Sequence, residues 1–480
     1  DRPLASTSTG RAFGALHAGS LMRQALLPLI AAAAIACGGS APPVSGRWVG
    51  DARKGDAVDR IEIAIDSAGA ARVTYQPWSL SDSPARIARN LADSLTIETA
   101  NGGDTTSFRG AMGEGAWAGV AVRGKDSAAF DLRRLHPMLA EDWEQIVGTY
   151  RNGRGRLFGI GRLSEFGMQR MLVDYQTGRI GPLYPLSDRL FLYGSSVIAP
   201  LFPGDTVDLA TGGLRLAEAG KAPVVAVRLN TLDEQVTFEN GPVRLAGTLI
   251  LPATPSPWPA IVLVHGSNAL TRDVFGPWTR FFAGLGYAVL AFDKRGTGGS
   301  TGDWKQADFS TLAGDVIAGV RFLQGREDID QDQIGLWGAG QAGWIMPIVA
   351  VRAADDIAFM IVHAGAGITA REQGRMLDFD PAPWWLRVKC PVLFFYGDLD
   401  ANVPPAESWP PIEAALRRGR NPSVTQVVLP GANHLLLSAK TGASDEYPHL
   451  SHFAPGYFQG MADWLSALPG PKASRPQSPN

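Results

Sequence analysis

The spacing of apolar residues changes character once along this chain, near residue 232. Before that point, short runs such as "DRIEIAID" and "DRLFLYG" alternate apolar and polar positions, and Gly, Asp, Asn or Ser separates them. A period of two with frequent turn residues is typical of antiparallel strands. We therefore predict two all-β modules, a sandwich or barrel-like one over residues 45–136 and a second β-rich one over residues 141–230.

Neither β-rich module contains a cluster of titratable side chains that points to catalysis. An accessory or dimerisation role is the simplest interpretation of both modules. Carbohydrate or lipid binding is the alternative that the sequence leaves open.

Residues 233–470 follow a different pattern. The run "QVTFENGPVRLAGTLILP" predicts a hairpin with Asn240 and Gly241 at its turn, where positive φ angles are needed. After it, continuous apolar runs such as "AIVLVHG" and "PVLFFYG" alternate with helix-like segments. Fully apolar strands between helices indicate a mostly parallel sheet with helices on both faces. The predicted fold is thus an α/β domain preceded by an all-β accessory region.

Charge excludes some classes of partner. The 480 residues carry a net charge of -2, and 19% of them are charged. This balance excludes a strongly basic nucleic-acid-binding protein and a highly charged disordered chain. We expect no nucleic-acid partner, and the Pro- and Ser-rich residues 471–480 are predicted to form a disordered tail.

The N-terminal region has the features of an export signal. Met22 and Arg23 precede the apolar run "QALLPLIAAAAIAC", which is too short to span a bilayer well. Its ending, "AIAC", resembles a bacterial lipobox, which implies acylation of Cys37. We therefore assign residues 1–37 to an upstream extension and a lipoprotein-type signal, and the protein to the bacterial cell envelope. A plainly cleaved signal and a chance apolar run are the alternatives.

Three candidate groups follow successive strands of the α/β region. The loop His265–Asn268 ends one apolar run, Gly340 and Gln341 end the run "IGLWGAG", and Asp400 and His434 follow two later strands. Because the carboxyl ends of parallel strands lie at one edge of a sheet, these groups are expected to converge.

Residues from about 233 to 470 resemble the α/β-hydrolase superfamily, close to secreted bacterial esterases and acyl-peptidase-like enzymes. Those proteins carry the motifs "VHGSG", "DKRGxGxSxG" and "GxSQGG", which here read "VHGSN", "DKRGTGGSTG" and "GAGQAG". The resemblance implies that Gly340 occupies the position of the serine nucleophile and that Ser267 and Gln341 supply the oxyanion amides. It also implies His434 as general base and Asp400, rather than its neighbour Asp398, as the residue that orients it.

The glycine at position 340 leaves the function open. One hypothesis is a carboxylic ester or acyl hydrolase whose activity is weak or absent, acting on a small acyl ester or peptide-like ligand. The second is an envelope-anchored pseudoenzyme that binds an acyl ligand or a protein partner. A third is a native esterase whose serine was replaced deliberately or by a sequencing error.

Other polar residues of the α/β region have structural interpretations. Asp293, Lys294 and Arg295 are predicted to form an internal ion-pair network, and His265 and His363 to be packed at strand ends. Trp344, Trp384 and Trp385 are candidates either for an acyl pocket or for core packing. The sequence indicates no cofactor and no metal, since no acidic metal-ligand pattern surrounds His449 and His452.

Overall fold

The structure, a computed structural model, describes residues 44–468 apart from residues 56, 102, 164–168, 199–204, 211 and 370–377. The predictions for the signal segment 1–37, for lipidated Cys37 and for the tail 471–480 therefore lie outside the described residues. The described residues all belong to one compact unit of the chain.

The first β-rich region is a closed barrel of eight antiparallel strands, each paired with the next along the chain. Its strands are β1 (Gly46–Lys54), β2 (Ala57–Ile65), β3 (Ala70–Tyr75), β4 (Leu80–Leu91), β5 (Ser94–Asn101), β6 (Asp104–Gly113), β7 (Ala116–Arg123) and β8 (Asp126–Arg134). Pairing of β1 with β8 closes the barrel. Alternate residues point inward, and Trp48 and Trp117 fill the interior with an edge-to-face contact at 6.2 Å.

A short helix, α1 (Ala140–Ile146), leads into a second closed barrel, also of eight antiparallel strands. Its strands are β9 (Gly148–Arg151), β10 (Leu157–Leu163), β11 (Gln169–Asp174), β12 (Ile180–Pro185), β13 (Leu190–Tyr193), β14 (Thr206–Asp208), β15 (Gly213–Ala217) and β16 (Val224–Arg228). Strand β16 pairs with β9 and closes this barrel. Of the two architectures considered for the first region, the sandwich and the barrel, the chain adopts the barrel.

The remaining strands form one eight-stranded sheet, in the order β17-β18-β20-β19-β21-β22-β23-β24. They are β17 (Leu232–Asn240), β18 (Val243–Leu251), β19 (Trp258–Val264), β20 (Ala288–Phe292), β21 (Ile329–Ala339), β22 (Phe359–His363), β23 (Val392–Gly397) and β24 (Val424–Leu429). The predicted hairpin is confirmed: β17 and β18 pair antiparallel across Asn240 and Gly241, whose φ is 58°. From β20 to β24 all pairs are parallel, as predicted.

Helices cover both faces of this sheet. They are α2 (Gly276–Gly284), α3 (Phe309–Gln324), α4 (Ala342–Arg352), α5 (Ala382–Trp385), α6 (Pro405–Arg418) and α7 (Tyr457–Ala467). One core joins the sheet to α3, α4, α5 and α6, and a second core joins the opposite face to α2 and α7. Within the described part of the chain, no helix is long and apolar enough to cross a membrane.

The second barrel packs directly on the α/β domain. Its Tyr175 hydroxyl donates to the carbonyl of Pro277 in α2 at 2.6 Å, and its Thr149 hydroxyl donates to the carbonyl of Arg280 at 3.0 Å. The turn between β11 and β12 also pairs with a segment after β24, since Phe453 N–H donates to the carbonyl of Gly178. The barrel therefore supports the part of the chain that follows His434.

Candidate functional site

The candidate site is built around a sharp turn between β21 and α4. Gly340 occupies this turn with a φ of 56°, a left-handed conformation that glycine adopts without steric cost. Its N–H donates to the carbonyl of His363 at 3.0 Å, and its carbonyl accepts from the N–H of Gly343 at 3.0 Å. These bonds fix Gly340 at the carboxyl end of the sheet.

The strand and the helix approach closely on either side of the turn. A Cβ on Gly338 would lie 2.5 Å from the Cβ of Ala342, and a Cβ on Gly343 would lie 2.8 Å from the backbone nitrogen of Ala366. Both distances are too short for carbon in a packed core. The small residues around Gly340 are thus required by the strand-to-helix contact.

At Gly340 itself there is room for a side chain. Among the described residues, the atoms within 4 Å of a Cβ built on Gly340 are Nε2 of His434, at 3.7 Å, and its Cε1, at 3.9 Å. These are ordinary van der Waals distances. A short side chain at position 340 would therefore point at the ring nitrogen of His434.

His434 is oriented by the carboxylate of Asp400. The Nδ1 of His434 lies 2.8 Å from Oδ2 of Asp400, which is buried. The other carboxylate oxygen accepts from the backbone N–H groups of Asn402 and Val403, both at 2.8 Å. Because a carboxylate accepts, Nδ1 carries the proton, and Nε2 presents its lone pair toward Gly340.

The rival carboxylate, Asp398, has a different partner. It accepts from the backbone N–H of Gly431 at 2.7 Å, in the turn after β24. The geometry thus pairs Asp400, and not Asp398, with the candidate base.

The predicted oxyanion residues lie at the same cavity. Ser267 and Gln341 both line it, together with Gly340 and His434. Asn268, which stands where related motifs have glycine, adopts a φ of 71°. The loop after β19 and the turn before α4 therefore line the same cavity.

Lys294 connects the loop after β19 to the turn before α4 through hydrogen bonds. Its buried ammonium group donates to the carbonyls of Gly266, at 2.9 Å, and Asn268, at 3.2 Å, and to the Oε1 of Gln341, at 3.3 Å. Sequence reasoning placed Lys294 in an ion-pair network but missed this contact. One feature of the sequence could have indicated this contact. Lys294 follows β20 closely, and β20 lies beside β19, the strand that ends at the oxyanion loop.

The neighbours of Lys294 do form ion pairs. Asp293 pairs with Arg272 at 2.8 Å, and the Nε of Arg295 donates to Asp315 at 2.7 Å. Desolvation opposes ionisation of Asp293, but hydrogen bonds from Arg272 outweigh it and lower the pKa of the carboxyl group. This network holds the loop after β20 beneath the site.

The cavity at the turn has a volume of about 570 Å³, enough for a small acyl ligand. Its walls are mostly apolar and aromatic. Trp344 lines it and donates its Nε1–H to the carbonyl of Ile368 at 3.0 Å. Trp385, by contrast, is fully buried in the core, where it packs against Phe394 at 5.3 Å. Other apolar lining residues are Leu270, Val274, Phe275, Trp278 and Val403.

Two further histidines of the α/β domain, His265 and His363, are buried, and His363 lines the cavity. Burial lowers the pKa of His265 to about 3 and that of His363 to about 3, so both rings are neutral at physiological pH. His265 packs edge-to-face on Phe292 at 4.9 Å. His363 contacts His434 directly, which sequence reasoning did not anticipate.

No group of three His, Cys, Asp or Glu side chains suited to a metal ion is found among the described residues. Cys390, the cysteine within the described range, has a pKa raised by burial to about 12. It is therefore a poor substitute for the missing hydroxyl group.

Part of the α/β domain matches a known family model. Residues 240–377 match the model of the X-Pro dipeptidyl-peptidase (S15) family. An esterase of Pyrococcus furiosus superimposes with a TM-score of 0.40 and 18% identity, covering 50% of this chain and 92% of that one.

Two curated relatives match shorter stretches. A thiohydrolase of Aspergillus aculeatus, aneE, is 38% identical over 87 residues, which is 18% of this chain and 27% of the relative. The quorum-quenching protein AidA of Acinetobacter baumannii is 29% identical over 109 residues, which is 22% of this chain and 36% of the relative. The chain thus spans only about a quarter to a third of the length of these relatives.

Proposed function

We propose that the cavity beside Gly340 binds a small carboxylic ester or related acyl compound. In this proposal the chain has the scaffold of a serine hydrolase without its nucleophile, so hydrolysis is slow or absent. The observation that carries the proposal is the position of His434 Nε2, 3.7 Å from the Cβ position of Gly340, with Nδ1 held by Asp400. A base oriented in this way serves acyl transfer in serine hydrolases.

The residual chemistry available to this arrangement is direct attack by water. A water molecule would lose a proton to His434 Nε2 as its oxygen bonds to the acyl carbon. The imidazolium would then protonate the leaving alkoxide, so that the ester yields an acid and an alcohol. Amide groups near Ser267 and Gln341 would stabilise the oxyanion. In enzymes that lose a member of the triad, binding and the oxyanion hole retain about 10³–10⁴-fold acceleration over water.

The test is hydrolysis of 4-nitrophenyl acetate by four proteins: the chain itself, Gly340→Ser, Gly340→Ala and Gly340→Ser combined with His434→Ala. We expect Gly340→Ser to raise kcat by about 10²-fold or more, because it restores the hydroxyl group beside a positioned base. Gly340→Ala is the matched control, since it adds the Cβ without the oxygen. The double variant is expected to lose the gain.

An inert but folded Gly340→Ser protein would mean that the oxyanion loop or the His434–Asp400 pair no longer supports acyl transfer, and binding without catalysis would be the better account. Residual turnover by the chain itself should also vanish in His434→Ala. Turnover that persists in that variant would have another origin.

The second candidate function is binding without catalysis, and the observation that favours it is the glycine itself. Binding of phenyl butyrate to the chain, measured by calorimetry, tests this candidate. Trp344→Ala, which removes a wall of the cavity, is expected to weaken binding if the ligand occupies this site. Binding without turnover by the chain would support the pseudoenzyme.

We also propose that the protein is exported and anchored to the bacterial envelope through Cys37. The basis is the apolar run after Arg23 and its lipobox-like ending. Labelling with a clickable palmitate analogue in a bacterial host tests this, with Cys37→Ser as the control. Equal labelling of both proteins would contradict the anchor.

A further inference from the structure

His363 contacts both the turn at Gly340 and the loop that carries His434. It is the last residue of β22, and in the parallel register it stands beside Ala339, one residue before the turn. Its carbonyl accepts the N–H of Gly340 at 3.0 Å. The backbone of His363 thus holds the turn that carries the nucleophile position.

The ring of His363 contacts the loop that carries His434. Its Nε2 lies 3.2 Å from the carbonyl oxygen of His434. A carbonyl only accepts, so Nε2 carries the proton and donates. The same residue therefore binds the turn through its backbone and the histidine loop through its side chain.

The remaining nitrogen of the ring is also satisfied. With the proton on Nε2, Nδ1 is an acceptor, and the hydroxyl of Tyr457 donates to it at 2.7 Å. The Tyr457 oxygen in turn accepts the Nε1–H of Trp278 at 2.8 Å. One tautomer of a neutral imidazole satisfies every group in this series, which agrees with the low pKa that burial gives to His363.

We propose that His363 is a positioning residue that sets the distance between His434 and position 340. The His434 carbonyl belongs to the peptide unit that follows its Cα. A hydrogen bond on that oxygen therefore fixes the ψ angle of His434 and restricts where its side chain points. The catalytic consequence of this role rests on the hydrolase function proposed above, whereas the geometric role does not.

The experiment compares His363→Phe, His363→Gln and the control His449→Gln, an exposed histidine. Phe retains a ring of similar size but removes both hydrogen bonds. Gln supplies an amide N–H for the His434 carbonyl and an oxygen for the Tyr457 hydroxyl.

The first measurement uses esterase activity in the Gly340→Ser protein. His363→Phe is expected to lower kcat by about 10²-fold while KM stays within about two-fold, since misplacement of a catalytic group by about 1 Å has this effect. His363→Gln is expected to recover most of kcat. His449→Gln should leave both parameters unchanged.

The second measurement is made on the protein that retains Gly340, and it does not depend on hydrolytic activity. The proton shared by His434 Nδ1 and Asp400 gives a downfield proton resonance, which His434→Ala identifies by removing it. We expect His363→Phe to broaden or shift this resonance and His363→Gln to preserve it. If Gly340→Ser proves inert but the resonance responds in this way, the positioning role stands and the hydrolase proposal falls. A folded His363→Phe protein with unchanged resonance and unchanged kcat would overturn the inference.

Discussion

The Nε2 of His434 lies 3.7 Å from the point at which a Cβ on Gly340 would stand. This distance leaves room for a side chain and directs it at a nitrogen that has a free lone pair. Under the function proposed above, position 340 lacks the hydroxymethyl group of a serine nucleophile.

Two glycines at the turn should differ in their tolerance of alanine. Gly340→Ala adds a Cβ at ordinary van der Waals distance from the ring of His434, so its cost is that of a left-handed φ, about 1–2 kcal/mol of the free energy of unfolding. Gly338→Ala places a Cβ 2.5 Å from Ala342 and 2.9 Å from the sulfur of Met346. Overpacking of this kind costs about 1–3 kcal/mol or more, so we expect the larger loss at position 338. Urea unfolding of both variants measures the difference, and a larger loss at position 340 would contradict it.

Removing the buried ammonium group of Lys294 should destabilise the oxyanion loop. Lys294→Met leaves the carbonyls of Gly266 and Asn268 without this donor, which is expected to cost about 2–3 kcal/mol. Lys305→Met is a matched control, because both lysines lie over the ring of Trp304, Lys294 at 5.2 Å and Lys305 at 5.9 Å, but Lys305 is exposed. We expect the control to change the free energy of unfolding by less than about 0.5 kcal/mol. Similar losses in both variants would show that the contacts of Lys294 contribute little.

Mild acid should destabilise the fold through its buried histidines. In the unfolded chain His265 and His363 take up protons below about pH 6.5, but in the folded chain burial delays this to about pH 3. The unfolded state thus binds more protons between these values, and the free energy of unfolding falls as the pH falls. Each ring contributes a slope of up to about 1.4 kcal/mol per pH unit.

Urea unfolding between pH 7.5 and pH 5 measures this slope, above the range in which carboxylates titrate. His363→Gln is expected to reduce it by the equivalent of one proton. A slope that is the same in both proteins would mean that His363 is protonated or exposed in the folded state.

Substitution of the two neighbouring carboxylates, Asp400 and Asp398, should affect the kcat of the Gly340→Ser protein differently. In the Gly340→Ser protein, Asp400→Asn is expected to lower kcat by about 10²–10⁴-fold, because an amide can stabilise the wrong tautomer of His434. Asp398→Asn alters a carboxylate that binds only the turn at Gly431 in the described structure, so its kcat should change little. Steady-state kinetics on 4-nitrophenyl acetate separate the two, and an equal loss in both variants would remove the assignment of Asp400.

Several features could be predicted from local sequence. The change from alternating to continuous apolar runs predicted β-rich modules followed by a parallel α/β domain, because burial on one face or on two leaves different periodicities. The turn at Gly340 and the choice of Asp400 could also be predicted, because both depend on motifs of residues adjacent in sequence. The sequence alone, however, did not distinguish a barrel from a sandwich, since the period of two gives the buried face of a strand and not its partner.

The order of the elements, the three segments that carry the candidate site and the glycine at position 340 can all be recognised in the sequence. The closure of β1 on β8, the packing of the second barrel on α2, and the contacts by which Lys294 and His363 each join two distant segments became apparent only in the folded chain. Local periodicity records which side of an element is buried. Contacts between distant segments depend instead on how the packed elements meet, and no local pattern encodes that choice.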